Sequence, residues 1–484
     1  MSETDCPGCR ARDVIIAELR ACIAELQRRP GEQDQRLQQQ EQRIRELEAR
    51  LKINSSNSSM PPSANPPSAP QPPSRPPTGR KPGGQPGHPG HCRPVLPAER
   101  VTDWVHYVPT VCQNCHASLP PQSCLDAPEP IRHQVIDLPA VLASVTEHPG
   151  HAGICPHGGQ VTWGAIPPEV LAHGFGPRLT AAIAFLSGRC HDSKRTIEEV
   201  VETLLEVPIS LGSISKAEQE MASALQPPYA QAQQAVREAA VKNVDETGWS
   251  LGGKLCWLWL AAGNGVAFFQ ICLGRGRASL EQLLGSPIRG VLCSDRWSAY
   301  SRMAVLWRQV CWAHLKRDFQ KWLDYGRPTA WIGQAGLEAV RRLFEAWDQF
   351  REGVLDRPGL QAALDPVILD LYGVLEAGAS CPVRQTARFC RNLLEVYPAL
   401  WTFARVEGVE PTNNLAERLL RAAVIWRKIS FGNHSEEGCR FVERVLTVVE
   451  TLRLQRRPVL AYLTEVLTTH RAGRPAPMLV PAGA

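Results

Sequence analysis

The 484-residue chain lacks a long apolar run, a secretory leader and a marked charge of one sign. Its one tempting stretch, Leu255–Gly274, runs 20 residues without a charge. Ala262-Gly263-Asn264-Gly265 falls in the middle of it, between runs bearing Trp and Phe, so it reads as two strands and a turn rather than a membrane span. The first thirty residues carry charges throughout, and Val14-Ile15-Ile16-Ala17 is too short for a leader's apolar core. The expectation is therefore a reducing, cytoplasmic setting, with its 16 cysteines in metal or core roles rather than disulfides. Fifty-three Lys plus Arg against 48 Asp plus Glu leave a net charge of only +5. Such a balance says nothing about nucleic acid, so any DNA contact must be located by where the cations sit. Hydrophobic residues at 43% and charged residues at 21% exclude a disordered chain, and the length suits about three domains.

What is present is unevenly distributed. Ile16, Leu19, Ile23 and Leu26 keep a heptad register that Leu37, Ile44, Leu47 and Leu51 continue, with Pro30 on a core position. This predicts a coiled coil over residues 1–53, broken at Pro30, through which the chain self-associates; a single amphipathic helix packed on its own domain is the alternative. Fourteen of the 41 prolines lie between Pro61 and Pro97, which makes residues 54–100 a linker. Its charges are all basic until Glu99: Arg75, Arg80, Lys81 and Arg93 either track phosphates or merely solvate the strand. Cys112-Gln113-Asn114-Cys115 is a knuckle of the kind that opens a zinc site. The second half is degraded: Cys155 is followed by Gly158 where a second sulfur belongs, which leaves His157, or His151, as the fourth ligand. Cys6-Pro7-Gly8-Cys9 is a lone knuckle without a second half. Ser193 and Ser210 open two short helices that suit either a DNA-reading helix-turn-helix or a plain packing pair.

From Val241 the pattern turns to strands. Val241–Asp245 ends on an acid, Leu255–Leu260 and Val266–Leu273 form the hairpin, and Ser279–Leu284 reads as a helix. Gly290-Val291-Leu292-Cys293-Ser294 is a short apolar run that again ends on an acid, Asp295. Buried strands that deliver acids at their carboxyl ends suit phosphoryl transfer with two divalent ions about 4 Å apart, which needs carboxylates from several elements. Taken singly, Asp245 could begin a turn and Asp295 could cap a helix. The third candidate, Glu417, follows Asn414, a good helix cap, at the position of a capping-box glutamate, with Arg421 four residues on as an ordinary surface partner. Between Asp295 and Glu417 lie 121 residues rich in helix formers, opened by Cys311-Trp312-Ala313-His314, whose Cys311 and His314 are a structural or ligand pair. From Leu415 to Pro458 nine cations face five acids, with Trp426 and Phe431 interleaved, a pattern suited to phosphate contact and base stacking or to a solvated helix face.

Several motifs together resemble the insertion sequence 66 family of bacterial transposases. They are Leu51–Ser59, Gly83–His91, Asp245-Glu246-Thr247-Gly248-Trp249, Asp295-Arg296-Trp297-Ser298-Ala299-Tyr300, Cys311-Trp312-Ala313-His314, Asn413-Asn414-Leu415-Ala416-Glu417-Arg418 and Trp426–Gly432. The resemblance implies a multidomain α/β chain. Its parts would be the coiled coil, the linker, a small zinc-ribbon-like, zinc-finger-like module over 101–170, and a helical, helix-turn-helix-like region over 171–235. An RNase H-like catalytic domain would span 236–458 with a helical insertion at about 305–405, followed by a C-terminal helix and tail over 459–484. It implies a DDE triad of Asp245, Asp295 and Glu417 holding two Mg²⁺ or Mn²⁺ ions, and Zn²⁺ on Cys112, Cys115, Cys155 and His157. Arg418, Arg421, Arg427 and Lys428 would contact DNA, and Cys311 and His314 would be structural. Implied partners are double-stranded DNA, a second copy of the chain and accessory proteins, with no membrane. A DNA-binding regulator without chemistry is the competing expectation.

Overall fold

The computed structural model describes residues 7–51, 53–55, 57–58, 95–107, 109–119, 133–136, 143–154, 156 and 161–480. They divide into two units. One comprises Met1–Ala69, His148–Glu199 and Ile209–Ala484, and the other comprises Pro70–Glu147 and Val200–Pro208.

In the larger unit, α1 (Pro7–Leu51) is one continuous helix. The break expected at Pro30 is absent. A proline forfeits one backbone hydrogen bond and crowds the preceding turn, which bends a helix rather than ending it when good helix formers flank it. Here Arg28-Arg29 and Glu32-Gln33 lie on either side of the Pro30-Gly31 pair, and the helix runs through both. Leu19, Ile23, Leu37 and Ile44 of the heptad register are all more than half exposed along α1. A two-stranded antiparallel ribbon, β1 (Ala152–Ile154) and β2 (Val161–Trp163), leads into helices α2 (Pro168–Leu171) and α3 (Pro177–Phe185). The helical stretch continues with α4 (Lys194–Leu205), α5 (Leu211–Ala224) and α6 (Gln226–Glu238). Ser193 Oγ accepts the Thr196 N–H and Ser210 Oγ accepts the Ser213 N–H, so each serine caps the helix it was expected to open. Lys194 joins the start of α4 to α5 through Ser215 and Glu218.

A five-stranded mixed sheet follows, built from β3 (Val241–Leu251), β4 (Lys254–Gly263), β5 (Val266–Cys272), β6 (Val291–Ser294) and β7 (Arg308–Val310). Helix α7 (Arg277–Leu284) lies between β5 and β6 in the chain, two residues longer at its start than the sequence suggests. The strand order is β5-β4-β3-β6-β7. The first three strands pair antiparallel, while β6 is parallel to β3 and β7 to β6. β6 is buried along its whole length, as its unbroken apolar run requires.

The chain then forms α8 (Trp312–Tyr325), α9 (Ala330–Arg351), α10 (Arg357–Gly378), α11 (Arg384–Glu395) and α12 (Thr402–Arg405). These helices share one core with β6 and β7, in which Phe319, Trp322, Leu343, Leu371 and Phe389 join Val291, Cys293 and Val310. Gly336 lets α9 approach α8 closely: a Cβ there would lie 2.0 Å from the Phe319 ring. Helices α13 (Asn414–Ser430), α14 (Glu436–Leu454) and α15 (Val459–Arg471) complete the fold.

Helix α14 protects the free edge of β5. The N–H groups of Ala267, Phe269 and Ile271 donate to Thr451 Oγ1, Thr447 Oγ1 and Glu443 Oε1 at 3.0, 2.9 and 2.7 Å. The match is geometric: four helical residues rise about 6 Å, and two strand residues about 6.8 Å. An edge strand that would otherwise offer unpaired donors is thereby closed. No helix among the described residues is long and apolar enough to cross a membrane.

In the smaller unit, Val111 and Ser118 form an isolated antiparallel bridge, and the Cys112 N–H donates to Ala117 O at 2.9 Å. Cys112 and Cys115 therefore sit in one tight turn. Backbone N–H groups of Cys115 and Asn114 hold the Cys112 thiol below its usual value. Cys155, His157 and Gly158, the expected second half of the zinc site, lie outside the described residues, as do Cys6 and the linker residues Arg75–Arg93.

Candidate active site

The parallel register places two acids side by side. Asn243 of β3 pairs with Cys293 of β6, and two residues further along each strand bring Asp245 level with Asp295. β3 does not end on its acid, as the sequence suggests, but runs on to Leu251 paired with β4, so Asp245 lies mid-strand, about one strand spacing (about 4.8 Å) from the point where β6 stops and Asp295 follows. Asp245 is held by the Glu246 N–H at 2.9 Å. Asp295 accepts the Trp297 N–H at 2.8 Å, so it closes a turn just after β6 rather than capping a long helix.

Glu417 arrives from the opposite side of the chain on α13, and a set of buried hydrogen bonds fixes where it lands. The Asn413 amide donates to Val244 O at 2.8 Å, and its carbonyl accepts from the Asn243 amide at 2.9 Å. The Asn413 backbone N–H donates to Cys311 Sγ at 3.2 Å, while the Cys311 N–H donates to Ser294 O at 2.9 Å. The starts of α8 and α13 are thus tied to the end of β6 and to the part of β3 next to the first acid. Asn414 is the first helical residue rather than the cap, and Asn413 occupies the cap position without capping. Its side chain serves β3 instead, so Glu417 has no capping box to complete. Glu417 Oε1 faces His314 Nδ1 at 3.6 Å rather than pairing with Arg421.

The electrostatics register this convergence. Burial, and the neighbouring carboxylates of Glu246, Asp295 and Glu417, raise the Asp245 carboxyl from 3.8 to about 8. Like charges forced together in a poorly solvated place disfavour ionisation, and a bound cation relieves that cost. Burial and the Arg317 cation hold the His314 imidazole low, against the pull of Glu417, Asp295 and Asp318. Glu417 Oε1 and His314 Nδ1 are both enclosed and both lack a hydrogen-bond partner. An open cavity of about 260 Å³, lined by Asp295, Trp297, His314 and Arg317 among others, gives access to this region.

A second network braces the site. Glu246 is buried and accepts from Tyr300 Oη at 2.6 Å and from Arg275 Nε at 2.8 Å. The Arg275 guanidinium lies between the rings of Trp257 and Trp297, and the Trp297 indole donates to Arg275 O at 2.9 Å. The turn that carries Asp295 is thereby stapled to the end of β5. Sequence patterning alone assigns no role to Asn243, Asn413, Arg275 or Tyr300, because each acts through partners distant in the chain.

The basic stretch after Glu417 separates into two kinds of residue. Arg418, Arg421 and Lys428 are exposed on α13. Arg427 is not a free surface cation: its guanidinium donates to Thr247 Oγ1 at 3.0 Å and to Gly248 O at 2.6 Å, joining α13 to β3. Trp426, a candidate for base stacking in the sequence, is buried and stacked on His191 at 4.9 Å. It falls on the same helical face as Leu419 and Ala423, and that face is packed inward. Phe431 is 82% exposed, just past the end of α13.

Comparison with known proteins gives matches over two stretches of the chain. Residues 7–94 match a family of unknown function. An uncharacterized protein, y4qI, of Sinorhizobium fredii (strain NBRC 101917 / NGR234) is 28% identical over 246 residues. That similarity covers 46% of this chain and 44% of the relative, so the chain spans less than half of that relative's length. Residues 173–440, more than half of the chain and including all three acids, match the model described as Transposase IS66 family. The chain belongs to that family.

Proposed function

We propose that this chain is a DNA transposase that cuts and joins strands of an insertion sequence, with Asp245, Asp295 and Glu417 as a DDE triad. The observation that carries the reading is the placement of Asp245 beside Asp295 on adjacent parallel strands, with Glu417 near enough to raise Asp245 further. A sheet of three antiparallel strands extended by two parallel ones, with an acid on its central strand beside the point where the next parallel strand stops, supports an RNase H-like catalytic domain. The run of helices α8–α12 between β7 and α13 supports a helical insertion between the second and third acids.

The three carboxylates suit two divalent cations, Mg²⁺ or Mn²⁺. They are oxygen donors, they crowd one another, and an oxygen of Glu417 is enclosed without a partner. When bound, such cations supply Lewis-acid activation of a water or DNA 3′-hydroxyl and stabilisation of the leaving oxygen in an in-line displacement. Asp245, Asp295 and Glu417 would hold them. Asn413 and Cys311 position the acids, and the Arg275 staple holds the Asp295 turn. Arg418, Arg421 and Lys428 would neutralise phosphates beside the site, while Arg427 supports them through β3. The exposed heptad residues of α1 would pair two copies of the chain, which suits the handling of two DNA ends. Cys112 and Cys115 would supply half of a zinc site in the smaller unit.

Purified protein, Mg²⁺ and a short duplex carrying the element's terminal repeat test this reading. Wild-type protein is expected to nick or cut the duplex, and Asp295→Asn to bind it without cutting. If wild-type protein only retards the duplex, the chain is a DNA-binding regulator without strand chemistry.

A further inference from the structure

Cys311, His314 and Glu417 form the one group of potential metal donors found among the described residues. Their sulfur, nitrogen and oxygen atoms all lie within 4.8 Å of one another. His314 Nδ1 and Glu417 Oε1 are 3.6 Å apart, too far for a hydrogen bond. Both are enclosed and neither is partnered elsewhere. Two enclosed polar atoms that face each other without a bond need something between them. Donors bound to one tetrahedral ion at about 2.1 Å sit roughly 3.4 Å apart, close to the observed separation.

The sulfur faces the same place. Cys311 stands at the start of α8 and its Sγ accepts the Asn413 N–H at 3.2 Å, while burial pushes the free thiol up to about 11, so it is the ion that would draw off the proton. A hydroxyl-free thiol, imidazole and carboxylate set prefers zinc or cobalt to magnesium, which takes oxygen donors and keeps its water. The neighbouring cavity gives an ion and a fourth, water ligand a way in.

We propose that Cys311, His314 and Glu417 form a binding site for a thiophilic divalent transition ion, zinc or cobalt, which shares Glu417 with the catalytic carboxylates. Binding releases the Cys311 proton to solvent and uses the lone pair of neutral His314. An ion in this site withdraws Glu417 from Asp245 and Asp295, so zinc inhibits the Mg²⁺-dependent reaction. The binding rests on the geometry alone; the inhibition rests on the proposed triad.

The test is cobalt titration of the full chain, followed by absorption. Cys112 and Cys115 offer thiols to the same probe, so the titration uses the C112S/C115S background. A sulfur-to-cobalt charge-transfer band is expected, lost in Cys311→Ser and weakened roughly tenfold or more in affinity in His314→Ala. His314 is partly exposed, so its truncation is the safer variant if Cys311→Ser does not fold. A band unchanged in both variants, or no band at all, overturns the proposal. Cleavage assays on the same preparations separate the two claims. A Cys311-dependent band without Asp295-dependent cleavage keeps the metal site and sinks the triad. Asp295-dependent cleavage without that band does the reverse.

Discussion

The Asn413 side-chain amide donates to the backbone carbonyl of Val244 at 2.8 Å, one residue before Asp245. The third acid of the site is therefore positioned by a bond to the strand that carries the first, across 169 residues of chain.

This bond makes Asn413→Ala informative. Removing the amide leaves the Val244 carbonyl and the Asn243 amide without their partner in a buried place, at a cost of about 1–3 kcal/mol. The thermal midpoint is expected to fall, and the cleavage rate by roughly tenfold or more as Glu417 loses its register. A lowered melting temperature with an unchanged rate would show that Asn413 supports the fold without positioning Glu417.

The arginines of α13 divide by the same logic. Arg427→Ala removes two charge-assisted bonds to β3 and is expected to destabilise the chain by about 1.5–3 kcal/mol in denaturant unfolding. Arg418→Ala and Arg421→Ala are expected to shift stability by less than about 0.5 kcal/mol. Each should instead lower the slope of log affinity for duplex DNA against log salt by about one. Equal effects of all three substitutions on stability would contradict this division.

A pH dependence follows from Asp245. Its folded value of about 8 lies above its ordinary value of 3.8, so the metal-free folded chain holds a proton that the unfolded chain has lost. The stability from this group is complete below about pH 4 and is lost as pH rises through about 8. Magnesium reverses the trend, because it needs the ionised carboxylate. The rise in melting temperature on adding Mg²⁺ is expected to grow from pH 6 to pH 8, and to lose most of that growth in Asp245→Asn. Equal Mg²⁺ stabilisation at both pH values in the wild-type protein would contradict the crowding of these acids.

Legibility from sequence followed the range of the forces involved. Asp295 was readable because an unbroken apolar run ending on an acid is a buried strand delivering that acid, as β6 does. The β4–β5 hairpin was readable from Asn264-Gly265 between apolar runs, and Asn264 and Gly265 both take the positive φ such a turn needs. β7 was not: it has three residues, and the partners of the Arg308 carbonyl and the Gln309 side chain, Thr402 and Leu400, lie at the far end of the insertion. Trp426 was misread because arginine neighbours suggested stacking, whereas its spacing from Leu419 and Ala423 already assigned it to the inward face. Pro30 was overweighted, since one lost hydrogen bond does not stop a helix of 45 residues, even with Gly31 beside it. Glu417 looked like a capping residue because capping is local, and the bonds of Asn413 that assign it elsewhere are not.

The most direct test is the rate of Mg²⁺-dependent strand cleavage by Glu417→Gln on a terminal-repeat duplex, beside a binding assay on the same DNA. The substitution keeps size and hydrogen bonding but removes the charge. Cleavage is expected to fall by two or more orders of magnitude (about 3 kcal/mol or more) with DNA affinity retained. Cleavage at the wild-type rate would contradict the assignment of Glu417 to the reacting centre, and with it the triad.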